Sequence, residues 1–192
     1  KPRSLGAQGP LAVSHDPREL PVEHPGDLPL CTTEEQWLVS DLWGRAAVGI
    51  VGGAPKCFKT WFGLDLAVSV ASGTLALGRF RIDAPGAALV YLAEDALPMV
   101  RQRIEGLCRH RGLEVRGVPI GVITAPTLRL DLEGDRERLL ATVDRVRPRI
   151  LLLDPLVRLH RLDENSASEI SGLLGFLREV QRRFDVAIVL VH

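Results

Sequence analysis

The chain has 192 residues, 46% of them hydrophobic, and its 24 basic and 24 acidic residues cancel to a net charge of zero. That length and apolar content fit one globular domain with a core of its own, and charge balance excludes a bulk field that would draw the chain to nucleic acid or membrane, leaving only local patches. Cys31, Cys57 and Cys108 sit in no CxxC or Cys/His zinc spacing, no apolar run is long enough to span a bilayer, and no signal-peptide pattern is present, so a reducing, cytoplasmic setting is expected.

Residues 1–30 carry Pro2, Pro10, Pro17, Pro21, Pro25 and Pro29 and few large apolar side chains. This composition predicts a flexible linker over 1–30, with the folded core over 31–192. The chain begins with Lys1 and ends at His192 directly after an apolar run, so it reads as a fragment with sequence missing at both ends. Thr32-Thr33-Glu34-Glu35 has the form of a capping box and predicts a short helix from Glu34 to about Asp41.

From residue 46 strands and helices alternate. Ala46–Val51 is a predicted strand. Lys59–Ser72 is a helix with Phe62, Leu66 and Val70 on one face, ended by Gly73. Ala87–Leu92 is a second strand, followed by a helix over Leu97–Arg111 that turns Val100, Ile104, Leu107 and Cys108 inward and stops at Gly112. Val118–Ile123 is a short strand. Asp135 is expected to cap a helix bearing Leu139, Leu140, Val143 and Val146, and Arg149–Leu153 is a very apolar strand. Ser166 and Glu169 form a second capping box, opening a helix with Ile170, Leu173, Leu174, Leu177 and Val180, and Val186–Val191 is the last strand. Apolar runs alternating with amphipathic helices predict an α/β fold, a parallel sheet covered by helices on both faces, with ligands bound beyond the carboxyl ends of its strands.

The first strand runs into Gly53-Ala54-Pro55-Lys56-Cys57-Phe58-Lys59-Thr60, and a helix begins there. These are the parts of a phosphate-binding P-loop: backbone N–H groups and a helix N-terminus face the anion, Lys59 neutralises charge, and Thr60 offers a hydroxyl to Mg²⁺. The pattern asks for a second glycine where Phe58 stands. A residue with a Cβ restricts that turn, so Phe58 is expected in an ordinary backbone region with its ring packed. The plainer alternative is a strand–turn–helix connection.

Three strand ends carry polar residues: Glu94 and Asp95 after the second, Asp154 on the fourth and His192 after the fifth. Parallel strands bring all of these to one edge, around the phosphates. Asp154 reads as a Mg²⁺ carboxylate, against a plain Asp-Pro turn. Pro155 follows it, so Glu94 becomes the candidate catalytic base, against a role for Glu94 and Asp95 in capping the next helix. His192 is a candidate donor to a γ-phosphate. Arg101, Arg103, Arg109, His110 and Arg111 are expected on a solvated face. Segment 157–165, with Arg158, His160 and Arg161, is a candidate for gripping a nucleic-acid backbone, against a plain surface loop.

The stretches GGAPKCFKTWFGLDLAVSVASG, LVYLAEDALPMVRQRI, ILLLDPLVRLHRLDENSASEISGLLGFLREVQRRF and AIVLVH resemble the RepA-like AAA-family ATPases of plasmids and mobile elements, within the RecA-like, hexameric-helicase-related superfamily. The similarity covers roughly residues 36–192. It implies a RecA-like P-loop core that binds and hydrolyses ATP with Mg²⁺, continues past His192, and forms a ring, typically a hexamer, on single-stranded DNA. It assigns Lys59 and Thr60 to phosphate and Mg²⁺, Glu94 to catalysis, Asp154 to the metal and His192 to a strand-end histidine motif. It places the segment after Asp154 toward a channel or DNA, and it takes an arginine finger from a neighbouring subunit. Two other readings stand beside it: a nucleotide-binding module that does not hydrolyse, suggested by Phe58, and a small-molecule kinase with Arg101 and Arg103 in a lid. The missing strands leave the P-loop strand at an edge, which predicts low stability and little turnover for this stretch alone.

Overall fold

The computed structural model describes residues 20–28, 30, 36–162 and 167–192. The chain divides into a unit ending at Thr32 and a larger one from Thr33 to His192. In the first, Pro25–Asp27 forms one 3-10 turn, opened by the His24 Nδ1 atom accepting the Gly26 N–H at 3.0 Å. Leu20, Val22, Leu28 and Leu30 are all exposed there, so the described part of this unit buries no apolar side chain.

The larger unit opens differently from the expectation. Trp37–Val39 is a strand (β1), antiparallel to Trp43–Gly44 (β2), where a helix to Asp41 was predicted. Residues 34–35 lie outside the described residues. The cause is tertiary: the Ser40 N–H donates to the Arg81 carbonyl at 2.9 Å and the Asp83 N–H to the Leu38 carbonyl at 3.0 Å. Leu38 and Val39 are thereby buried. A strand held by a segment forty residues away leaves no local periodicity. Asp41, at φ 58°, makes the turn between the two strands.

The main sheet is parallel. Its strands are β3 (Val48–Val51), β4 (Ala88–Leu92), β5 (Ile120–Val122), β6 (Ile150–Asp154) and β7 (Ala187–Val191), in the order β3-β7-β6-β4-β5. The helices are α1 (Lys59–Ser72), α2 (Leu97–His110), α3 (Glu133–Val146) and α4 (Ala167–Phe184). Successive side chains leave a strand on opposite faces. Ile150 and Leu152 therefore pack with Leu66, Val70, Val100 and Ile104 of α1 and α2, whereas Leu151 and Leu153 pack with Leu139, Val143, Leu173 and Leu177 of α3 and α4. Two cores sandwich one sheet, an α/β fold of the RecA-like P-loop kind.

Differences from the expected elements are local. Ala46 sits in a turn at φ 49°, and β3 starts at Val48. Asp135 does not cap α3: it lies inside the first turn, and its Oδ2 accepts the Arg129 N–H at 2.7 Å, tying the preceding loop to the helix. Gly73 and Gly112 end their segments at φ 72° and 68°, where a Cβ is disfavoured. Ser166 lies outside the described residues, as does the side chain of Glu169.

Consecutive β3 and β4 are separated in the sheet by β7 and β6. This opens a crevice at the carboxyl edge between the turn after β3 and the end of β4. Register sets its depth: Val51 pairs with Val191, and Leu92 with Asp154.

Candidate active site

Backbone bonds carry that register into the loops. The His192 N–H donates to the Val51 carbonyl at 2.9 Å, and the Ala93 N–H to the Asp154 carbonyl at 2.8 Å. His192 is thus fixed beside the exit of β3, and Glu94 beside the end of β6. One cleft of about 600 Å³ lies over this row of strand ends, lined by residues 55–61 with Glu94, Arg103, Asp154, Val157 and His192. The expected residues Pro55, Lys56, Cys57, Phe58, Lys59 and Thr60 therefore meet Glu94, Asp154 and His192 in one space. Gly53 and Ala54 do not line the cleft; their carbonyls accept from Lys59 Nζ at 2.7 and 3.0 Å. The Lys59 ammonium curls over its own loop and can exchange those carbonyls for phosphate oxygens. At Gly53 an added Cβ would stand 2.9 Å from Cys57 Sγ, so a side chain there requires the Cys57 thiol to turn aside.

Phe58 overturns the sequence expectation. It takes the left-handed conformation, φ 65° and ψ 21°, immediately before α1, and the residue is 75% exposed. The turn imposes the conformation that glycine adopts freely, and Phe58 adopts it at a cost of about 1–2 kcal/mol. Phe58→Gly is therefore expected to leave stability unchanged or raise it by up to about 1 kcal/mol, strain relief outweighing the added freedom of the unfolded chain. Urea denaturation checks this; a loss of stability would mean that the exposed ring packs after all.

Asp154 is only 6% exposed. Burial pushes its carboxyl above the usual range; the Thr60 hydroxyl, donating to it, pulls the other way, and Asp95 and Glu94 add repulsion. Its Oδ2 is buried with no hydrogen-bond partner. A buried oxygen left unsatisfied next to a P-loop threonine fits a hydrated Mg²⁺, which needs one or two carboxylates and completes its shell with water and phosphate oxygens. Among the described residues no cluster of three or more His, Cys, Asp and Glu forms a cage for a metal, and Mg²⁺ on a nucleotide requires none. Thr60 and Asp154 are the residues that would hold the ion, and when bound it neutralises phosphate charge.

Glu94 does not cap α2. Its Oε1 accepts from Arg158 Nε at 2.9 Å, an exposed ion pair. Asp95 does not cap α2 either: it takes Arg103, whose guanidinium also lies 5.7 Å from the centroid of the Trp61 ring. The basic run of α2 is not uniformly solvated. Arg103 lines the cleft, and Arg111 is largely buried against Asp65, with its Nη2 3.2 Å from Ser69 Oγ. Sequence reasoning missed Trp61, and it left Arg103 on a solvated face or in a lid. Their signal was position: Trp61 follows Thr60 directly, and Arg103 lies two turns into the helix after Glu94.

Of segment 157–165, residues 163–165 lie outside the described residues. The remainder begins as a 3-10 turn over Leu156–Arg158. His160 is buried and its Nδ1 accepts the Leu162 N–H at 3.2 Å, so it is no surface contact for DNA; Val157, Arg158 and Arg161 face solvent. Among the described residues no helix is long and apolar enough to cross a membrane.

A family model described as an AAA domain matches residues 16–192. None of the curated proteins matches the chain. The chain belongs to the AAA domain family, a class of P-loop nucleotide-binding ATPases.

Proposed function

We propose that this AAA-domain chain binds ATP with Mg²⁺ and hydrolyses it in the cleft over the strand ends, as a RepA-like, ring-forming motor, a hexamer by its resemblance, that acts on single-stranded DNA. The observation that carries the reading is the meeting of Lys59 and Thr60 with Glu94, Asp154 and His192 in one cleft, from four separate strand ends. In this reaction the water oxygen bonds to the γ-phosphorus, the bond to the β–γ bridging oxygen breaks, and its electron pair leaves on ADP. Glu94 orients the water and takes its proton. Lys59 neutralises the charge spreading over the phosphate oxygens, and His192 donates to the γ-phosphate. Arg158 and Arg161, exposed just beyond Asp154, supply charge for a phosphodiester backbone.

One observation favours a second reading, a nucleotide-binding module that does not turn over: Phe58 stands in the phosphate turn at a left-handed φ of 65° where the pattern asks for glycine. Steady-state phosphate release by the full-length protein in its assembled form, with and without single-stranded DNA and at two salt concentrations, decides between them. The motor reading expects turnover that rises with DNA and loses that rise at high salt. Stoichiometric ATP binding with no phosphate release under any condition would contradict it and establish the second.

A further inference from the structure

A second groove adjoins the phosphate cleft. It encloses about 460 Å³, and Cys57, Phe58 and Trp61 belong to both walls; Phe62 and Leu77 continue the new one. Phe58 and Trp61 are 75% and 39% exposed, two aromatic rings held in water at the mouth of a polar site. Trp61 stands at the junction: it is one residue past Thr60, and the Arg103 guanidinium that lines the phosphate cleft lies over its ring. Asp65 is the charged side chain of this groove among the described residues, and it is already engaged by Arg111 and by the Leu77 N–H at 2.7 Å.

We infer that this groove is the base subsite of the nucleotide, with the heterocycle stacked on Trp61 and Phe58. The inference rests on the proposed phosphate site and extends it. A triphosphate nested on the loop must send its ribose and base out along the loop, and the groove that shares Cys57, Phe58 and Trp61 with the cleft is continuous with it. An aromatic face accepts any flat heterocycle, because every base has a π-face. With Asp65 engaged elsewhere, the groove reads the face of the base and not its hydrogen-bonding edge. Discrimination between ATP and GTP is therefore weak, whereas affinity depends on the ring. The strained, exposed Phe58 then has a use: its ring faces the nucleotide, and its backbone carries the cost.

The test compares ATP, GTP and inorganic tripolyphosphate, each with Mg²⁺, by calorimetry on the wild type, Trp61→Ala, Trp61→Phe and Phe58→Gly. Trp61→Ala is expected to weaken ATP by about 5- to 100-fold and to leave tripolyphosphate unchanged, and Trp61→Phe to restore most of the loss. Phe58→Gly is expected to weaken ATP relative to tripolyphosphate as well, since it removes the ring. ATP and GTP should differ by less than about tenfold, since no edge contact selects between them. ATP should quench tryptophan fluorescence in the wild type, whereas tripolyphosphate should not. Equal affinity of the wild type for ATP and tripolyphosphate, or equal weakening of both by Trp61→Ala, would overturn the base subsite while leaving the phosphate site standing. A wild type that binds neither ligand would overturn the phosphate site, and the base subsite with it.

Discussion

Lys59→Ala is expected to weaken nucleotide binding by about 10- to 100-fold, the worth of a lost charge-assisted hydrogen bond to phosphate. Phosphate release should fall further, by about a hundredfold or more, because the same ammonium meets the charge that develops in the transition state. Lys59 Nζ has two carbonyl partners, Gly53 and Ala54, both in the loop that would cradle the phosphates. Trading neutral carbonyls for anionic oxygens is favourable for an ammonium, and Lys59 is the loop cation already held on those carbonyls. Lys56, the other cation of the loop, lies in a left-handed turn at φ 65° and makes no comparable contact among the hydrogen bonds of the described residues. Lys59 is partly buried and its two bonds go to loop carbonyls, so the substitution should cost about 1 kcal/mol of stability or less. Calorimetric titration, with a denaturation curve as control, separates the two effects. Undiminished affinity in a folded variant would remove Lys59 from phosphate binding.

Glu94→Gln should behave in the opposite sense on binding. The amide keeps the shape and can still accept from Arg158, but it cannot take a proton. Turnover is expected to fall by about 10²- to 10⁴-fold. Affinity should hold or rise, because one negative charge beside the phosphates is removed. The exposed Arg158 pair, in which Glu94 engages one oxygen, is weak, worth about 0–1 kcal/mol, so it does not keep Glu94 from its role. Single-turnover hydrolysis beside analogue binding measures both quantities. Normal turnover by Glu94→Gln would remove Glu94 from the chemistry.

Much of this was legible in the sequence because the signals were local. β6 and β7 are apolar runs, α1 starts at Lys59 as expected, and parallel strands bring their ends to one edge by geometry alone. Glu94, Asp154 and His192 could therefore be placed together without a single known contact. What remained hidden was set by partners far along the chain. β1 is a strand because Arg81 and Asp83 hold it, and its own residues spell a capped helix as readily. Asp95 pairs with Arg103, and Glu94 with Arg158, sixty-four residues away, so neither serves as the cap that proximity to α2 suggested. Arg111 looked solvated until Asp65 of α1 was brought beside it. Phe58 failed for a different reason. A residue's intrinsic preference was taken to set the loop, whereas the loop sets the residue, and local strain at a ligand-binding turn is where such expectations break down.

On this reading a triphosphate lies between the loop ending at Thr60 and the tips of β4, β6 and β7. A crystal structure of the chain with a non-hydrolysable ATP analogue and Mg²⁺ tests it most directly. The account predicts the phosphates on Lys59 and the amides before α1, Asp154 and Thr60 turned to the metal, and Glu94 and His192 at the γ-phosphate. An analogue bound outside that cleft, or bound there with Glu94 and Asp154 turned away from it, would contradict the account.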